Sequence, residues 1–573
     1  MADTARFNEA AKLPRQTIEE RTEPDGGIAF VGRAKIGPLA LVWDDLPCNW
    51  VAERWFEHTR LFHNGPLRRI TARFSLEDDG AGCRGTYALT AEPSGLLGRA
   101  LLAGPFFPNF GKTLRRLAAE ADRFAVGERE GAFEVAPPTL AAGAEARLER
   151  IRAELAASPY AHGLGDRLIL HVRSASDNDA LKIRPLALAK LWGVPERQAV
   201  ELCLIATRLG LLALRWDLLC PRCRIAKSVS TGLDELPKGA HCGTCNIDYG
   251  RDFSANVELS FRPAEAVRQV AAGEFCLFGP MSMPHVWAHI TLAPGETREL
   301  EELPDPGPYR LRTLEIGPEA DIKFDGGVFP SVLLTADGIE AGSPSPSGVV
   351  RLVNDSAVQR TAVIEERRWV EEALLADRMT ALQAFRDLFS EQVLRPGDEV
   401  GIDRVTLLFS DLRGSTALYG AIGDAGAYHL VREHFAFLAR CVREHDGAIV
   451  KTIGDAVMAA FKDPASGLAA ALAMQDGIAA FNAAQGSGIV LKLGLHEGPC
   501  IAVTLNDRLD YFGSTVNLAA RLQGESQGSD IVLSTSLAAD PEVRTRLVGR
   551  TTRSGTADLK GFAQPIPFLR AVV

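Results

Sequence analysis

Hydrophobic and polar positions change their period several times along the 573 residues, and each change marks a module. Residues 1–27 are polar and aperiodic and read as a tail. From 28 to 135 a helix-like aromatic stretch, NWVAERWFEHTRLFHNG, precedes the alternating strands RRITARFSLEDDG and CRGTYALTAEP and a helix, FGKTLRRLAAEADRFA. That order predicts an α+β domain. The proline-bearing stretch APPTLAAGAEA reads as a linker into a helical module over 136–215, where two apolar-periodic runs are parted by Gly193-Val194-Pro195 as in a helix-turn-helix. Residues 256–364 turn to short strands broken at PDPGP and GSPSPSG, which predicts a β-sandwich or barrel. Over 365–401 the spacing of Leu375, Met379, Leu382, Phe385 and Phe389 predicts an amphipathic connecting helix closed by a turn at LRPGDEVG. Such a stripe serves core packing or a transmitting helix pair.

Composition adds limits. At roughly 150 residues per domain the length implies about four domains, and 46% apolar with 24% charged residues is ordinary soluble composition. No N-terminal hydrophobic signal follows MADTARFNEAAKLPR, and no apolar run approaches the ~20 residues that cross a bilayer. A reduced, cytoplasmic protein with no membrane partner is expected. The net charge of −10 argues against nucleic acid as a partner. Locally, however, residues 181–250 carry 10 Lys+Arg against 6 Asp+Glu. A DNA-reading second helix would have to use mainly Arg197 and Arg208, so a winged-helix-like fold used for protein packing is the simpler reading.

Ten cysteines are too few for a disulfide scaffold. Four form two pairs: Cys220-Pro-Arg-Cys223, then 18 residues, then Cys242-Gly-Thr-Cys245. This spacing predicts a zinc ribbon over 216–255, in which four thiolates close a tetrahedral shell around one structural zinc ion. Cys48, Cys83, Cys203, Cys276, Cys441 and Cys500 are isolated and read as small core residues.

The segment 402–573 carries chemistry. The apolar strand VTLLFSD ends in Asp411 and opens, through Leu412-Arg413-Gly414-Ser415-Thr416, into a helix. A second carboxylate, Asp455, sits at the tip joining the strands AIVKTI and AVMAAF. Two carboxylates at one sheet edge suit two divalent cations held against a triphosphate. Further on, Asp510 precedes a Gly-Ser turn, and the i,i+4 spacing puts Asn517 and Arg521 on one helical face, where amide and guanidinium converge on a phosphorus centre.

Together FSDLRGST, KTIGDAVMAAF, GLHEGP and DYFGSTVNLAAR resemble the class III nucleotidyl cyclases, in order and over about the last third of the chain. The resemblance implies a ferredoxin-like βαββαβ catalytic domain inside a multidomain α+β protein. It implies that Asp411 and Asp455, with the Leu412 backbone carbonyl, hold two Mg²⁺ or Mn²⁺ ions. Lys451 and Asp510 fall on its purine-selecting positions, Asn517 and Arg521 on its transition-state pair, and Lys560 in DLKGF on a phosphate-reaching lysine. In that family the metal carboxylates and the purine and transition-state residues come from different subunits, so a homodimer is expected. Physically, a Lys donor and an Asp acceptor match N1 and N6 of adenine and mismatch guanine, which makes ATP the expected substrate. The expected enzyme is a phosphorus–oxygen lyase making cyclic AMP and pyrophosphate. Upstream, 28–135 resembles the START-type helix-grip domains that hold apolar ligands. The whole region resembles the uncharacterised regulatory region with a zinc ribbon of some bacterial cyclases, which implies an unidentified regulatory ligand or protein. His496 reads as a packing or turn residue, and His429, His434 and His445 as surface or rim positions beside a buried stripe of Val431, Phe435, Leu438 and Val442.

Overall fold

The structure is a computed structural model that describes residues 7–573 except 9, 15, 23–27, 37, 81, 105, 130–131, 133–137, 244, 246, 271–278, 281–282, 316, 368–371 and 563. The first domain is built on a large antiparallel sheet that does not stop at the expected boundary. Asn49–Val51 pairs with Val286–Leu292, through Val51 with Ala288 and Trp50 with His289, so 28–135 and much of 256–364 share one sheet. The stretch expected to be helical forms Asn49–Val51 and Trp55–Phe62 instead. Its aromatic residues pack on the pleated surface rather than along a helix face: Trp50 is fully buried and stacks on His289 with ring centroids 4.4 Å apart. Within the expected tail, Gln16–Thr22 adds a strand beside Ile28–Ile36. The helix expected over 110–125 forms and starts four residues earlier, as Phe106–Ala125. A second sheet, Thr297–Leu300, Val350–Asn354, Pro330–Leu334 and Ile339–Pro344, packs on the first through Phe329, Val332 and Leu352, which gives the sandwich.

The helix-turn-helix forms as Pro185–Trp192 and Glu196–Arg208, with Gly193 at φ +65 closing the first helix. Val257–Pro263, expected to open the sandwich, pairs instead with Leu212–Leu219, making a small wing-like sheet with Ala226–Ser230. The local basic charge is used internally. Lys182 bonds Glu258 and Asp217, Arg184 bonds Glu258, and Arg215 bonds Asp217, both carboxylates being fully buried. Arg197 pairs with Glu201 and with Asp446 of the C-terminal domain, and Arg208 pairs with Glu391. The two arginines that DNA reading would need are thus committed within the chain.

The expected long connecting helix is two short ones, α1 (Ala376–Thr380) and α2 (Gln383–Leu388). Leu375 and Leu382 adopt extended backbone ahead of them, and Met379, Phe385 and Phe389 are sunk into the core. Burial of the stripe overrides helix propensity here, since each large apolar side chain removed from water is worth about 1.5–3 kcal/mol.

The C-terminal domain runs β1 (Glu399–Leu412), α3 (Ser415–Glu444), β2 (Ala448–Ile453), β3 (Ala456–Phe461), α4 (Pro464–Gln485), β4 (Leu491–Leu505), β5 (Arg508–Phe512), α5 (Ser514–Glu525), β6 (Asp530–Ser534), β7 (Thr551–Ala557) and β8 (Ile566–Val572). Its sheet order is β2-β3-β1-β4-β6-β8-β7, with β5 paired to β4, so β1 to β4 have ferredoxin-like order. Strand β1 is buried without interruption from Val405 to Ser410 and almost wholly apolar there, because both faces of that stretch are covered. Leu408 and Leu412 face α3 and α4, while Val405, Leu407 and Phe409 share a core with Phe385, Phe389 and the wing strands. One hydrophobic core therefore joins the upstream region to the C-terminal sheet.

Two smaller expectations change. Helix α3 breaks at Gly423, whose φ of +73 and ψ of 162 are non-helical, and the buried stripe beyond it runs Leu430, His434, Phe437, Leu438, Cys441 and Val442, so Leu438 and Val442 are buried as expected while Val431 and Phe435 are half-buried. His434 is fully buried instead of lying at the rim. Cys83 is exposed, while Cys48, Cys203, Cys441 and Cys500 are buried; Cys276 lies outside the described residues.

Candidate active site and metal centre

Asp411 and Asp455 meet because of register. Ser410 on β1 pairs with Val457 on β3, and the Val457 amide donates to Ser410 Oγ at 3.1 Å. The residue after Ser410 and the residue two before Val457 therefore lie at the same end of adjacent strands. Gly454, with φ +63, makes the sharp hairpin turn that presents Asp455. Burial and the neighbouring Asp455 charge push the Asp411 carboxyl up from 3.8, partly offset by the Leu412 amide and Lys492. Oδ2 of Asp455 is buried without a hydrogen-bond partner. Two crowded carboxylates with an orphaned oxygen fit divalent cations, which would supply the missing counter-charge.

Two residues that motif reading missed face this pair. The Tyr419 hydroxyl on α3 is buried without a hydrogen-bond partner and is pushed up to about 12 by burial and the Asp455 charge. His434 is pushed down to about 4 by burial, against the Asp455 charge, and both its ring nitrogens lack partners. His434 shares the buried face of α3 with Leu430 and Leu438, four residues to either side, and that spacing is the signal that could have found it.

Lys451 and Asp510, 59 positions apart, form an ion pair with Nζ to Oδ2 at 2.6 Å. Asp510 is 6% exposed, and its Oδ1 accepts from the Tyr511 amide at 2.8 Å. Asn517 and Arg521 occupy the exposed face of α5, whose opposite face buries Thr515, Ala519 and Leu522. Lys560 is exposed in the turn between β7 and β8. Among the described residues no hydrogen bond or ion pair joins the side chains of Asn517, Arg521 or Lys560 to either of the two pairs. Leu412 is buried at the end of β1, opposite Leu491. His496 has a packing role: Nδ1 lies 2.9 Å from Ser534 Oγ, and burial pushes the ring down to about 4.

The four paired cysteines converge upstream. Sγ atoms of Cys220, Cys223, Cys242 and Cys245 all lie within 4.8 Å of one another, all four residues are buried, and Cys223 and Cys242 are 3.7 Å apart at sulfur. Ligands 2.3 Å from a tetrahedral centre stand about 3.8 Å apart, so the cluster fits zinc. The knuckle is seated on the sandwich: Arg310 reaches the Pro221 carbonyl at 3.3 Å and Arg224 the Glu366 carbonyl at 2.8 Å. Glu365 beneath it is held well below the usual carboxylate range by Arg312, His285 and Arg310, against the cost of burial.

Residues 399–565 match the family described as adenylate and guanylate cyclase catalytic domain. The C-terminal segment is a class III cyclase catalytic domain. Residues 154–281 match a second family, described only as one of unknown function. Adenylate cyclase 1 of Rhizobium meliloti is 28% identical over 187 residues, covering 29% of this chain and 28% of the relative. An adenylate cyclase of Anabaena cylindrica is 30% identical over 150 residues, 23% of this chain and 30% of the relative. A receptor-type guanylate cyclase of Drosophila melanogaster is 28% identical over 226 residues, 36% of this chain and 14% of the relative. The chain thus spans less than a third of the length of these relatives, and they include both nucleotide specificities.

Proposed function

We propose that the chain is a cytoplasmic, homodimeric adenylate cyclase that converts ATP to 3′,5′-cyclic AMP and pyrophosphate under the control of its upstream modules. The observation that carries this reading is the Lys451–Asp510 pair, a cationic donor beside a buried carboxylate acceptor. Lys451 donates to N1 of adenine and Asp510 accepts from the N6 amino group. Guanine offers the reverse pattern and would leave the buried Asp510 carboxylate without its base partner, a penalty of about 1–3 kcal/mol, with a smaller loss at the partly exposed Lys451.

Asp411 and Asp455, with the Leu412 carbonyl, would hold two magnesium or manganese ions. Such ions, when bound, would supply counter-charge for the triphosphate and Lewis acidity at the ribose 3′-hydroxyl; in the reaction that hydroxyl's oxygen bonds the α-phosphorus as the bond to pyrophosphate breaks. Arg521 stabilises charge developing at the α-phosphorus, Asn517 orients the ribose, and Lys560 reaches the phosphates. The exposed face of α5 presents Asn517 and Arg521 outward, which suits donation to the carboxylates of a second copy in a two-fold dimer. The buried Cys₄ cluster holds one structural zinc ion with no open position. Control by the upstream modules is supported by the core they share with the catalytic sheet. Among the described residues no helix is long and apolar enough to cross a membrane.

The test is product formation. The purified full chain with Mg²⁺ or Mn²⁺ should make cyclic AMP from ATP, and Asp455→Ala should abolish turnover while preserving the melting profile. Retained activity in that variant would remove the metal assignment.

A further inference from the structure

Helix α2 lies outside the catalytic domain, yet it is bonded to both strands that carry the purine-reading pair. On β2, the amide of Ile449 donates to Gln383 Oε1 at 2.7 Å, two residues before Lys451. On β5, the Leu509 carbonyl, one residue before Asp510, accepts from Arg386 Nη1 at 2.8 Å. The same guanidinium stands 5.4 Å from the ring centroid of Tyr511, one residue after Asp510. We infer that Gln383 and Arg386 are positioning residues that set the spacing of Lys451 and Asp510, and with it the choice between adenine and guanine. This rests on the cyclase reading above.

The local geometry explains why such bracing is needed. β2 is the edge strand of the sheet, and its ladder with β3 slips by one residue between Ile449 and Lys451. A bulge re-aims the following side chain and leaves the local backbone without its ladder partner, so Lys451 is aimed by an irregular segment at an open edge. Gln383 supplies the acceptor there. Its amide is itself oriented, because Nε2 donates to Asp387 Oδ1 at 2.7 Å and so turns Oε1 toward Ile449. β5 pairs only with β4, and Arg386 braces it. Arg386 is held in turn, with Nε donating to the Thr380 carbonyl at 2.8 Å, while the Tyr511 hydroxyl donates to Thr380 Oγ1 at 3.3 Å. A single helix thus holds two otherwise weakly supported strands at a fixed separation across the 2.6 Å ion pair.

The helix is in turn placed by the upstream region. Phe385 meets Trp216 edge-on, with centroids 6.1 Å apart, and Trp216 lies on the strand that leads into Cys220. The strand that bears Trp216 thus links the paired cysteines to the segment that braces Lys451 and Asp510, so displacement of α2 would change which base the site accepts.

The experiment compares the full chain with Gln383→Ala, Arg386→Ala and Arg386→Lys. It reads kcat and KM for ATP and for GTP in each, together with the melting temperature. Loss of the Gln383 acceptor for the Ile449 amide, or of the charged Arg386 donor to the Leu509 carbonyl, should lower kcat/KM for ATP by about ten-fold, chiefly through KM, and reduce the ATP-to-GTP preference in both alanine variants. Arg386→Lys keeps a donor for the Leu509 carbonyl and should recover part of the preference. Alanine variants that lose both activities in equal proportion, with the preference unchanged, overturn the inference and leave the cyclase reading standing. A parent chain that makes cyclic nucleotide from neither substrate overturns both.

Discussion

Replacing Lys451 with methionine keeps most of the aliphatic stem and removes the terminal ammonium, with its charge and its donors. Two costs follow, and the structure sets the size of each. The Asp510 side chain is 9% exposed and the Lys451 side chain 36% exposed. Removing one partner of a fully buried pair costs about 3–5 kcal/mol, whereas an exposed pair is worth about 0.2–1 kcal/mol. With one member buried and the other partly wet, water replaces some of the lost interaction, and the Tyr511 amide still serves Oδ1. The stability cost is then about 1–3 kcal/mol. On the substrate side the variant loses one charge-assisted hydrogen bond to adenine, worth about 1.5–3 kcal/mol, or roughly 10–150-fold in kcat/KM for ATP. Initial rates of cyclic AMP formation against ATP concentration, with thermal unfolding of the same preparation, separate the two effects. A variant that melts earlier but keeps kcat/KM within about two-fold would show that the pair only supports the fold and does not read the base.

Other consequences are equally direct. Phe385 is 1% exposed and packs against Trp216 and Phe389, so Phe385→Ala should cost about 3–5 kcal/mol plus about 0.5–1.5 kcal/mol for each ring pair. Hydrogen exchange should then rise on both the wing strands and the cyclase sheet; a rise on one side alone would contradict the shared core. Metal analysis should find one zinc per chain, and either strong chelation or Cys223→Ser should lower the melting temperature, whereas a metal-free chain indifferent to chelator would refute the ribbon. His289 is fully buried, and burial pushes it from 6.5 down to about 3. The unfolded chain therefore takes up a proton that the folded chain refuses, so this stability is complete above pH 6.5 and is lost progressively as pH falls toward 3. His289→Phe, which keeps an aromatic ring over Trp50, should flatten that part of the stability profile; an unchanged acid limb would refute the assignment.

Legibility from the sequence followed the range of the interactions. The Cys₄ cluster was readable because each knuckle is local, and the hairpin tip at Asp455 because Gly454 marks it. That Lys451 and Asp510 belong together was legible only through the order of several motifs, since the two are far apart in the chain and meet only in the fold. Nonlocal pairing was not readable. Nothing in the alternation of Asn49–Val51 announces Val286–Leu292 as its neighbour, and the basic balance of 181–250 gives no sign that Lys182, Arg184 and Arg215 answer buried carboxylates. The apolar stripe of 375–389 was seen, but its periodicity predicted one helix where tertiary packing makes two. For His434 the spacing was legible and the residue type misleading: it stands four residues from both Leu430 and Leu438 on the buried face of α3, where a polar side chain is not expected.

The central claim is that one site in this chain reads adenine and cyclises its triphosphate. It is tested most directly by giving the purified full chain equal concentrations of ATP and GTP with Mn²⁺ or Mg²⁺ and quantifying both cyclic products by mass. The account predicts predominantly cyclic AMP, with its formation abolished by Asp455→Ala. Predominant cyclic GMP, or neither product, would contradict it.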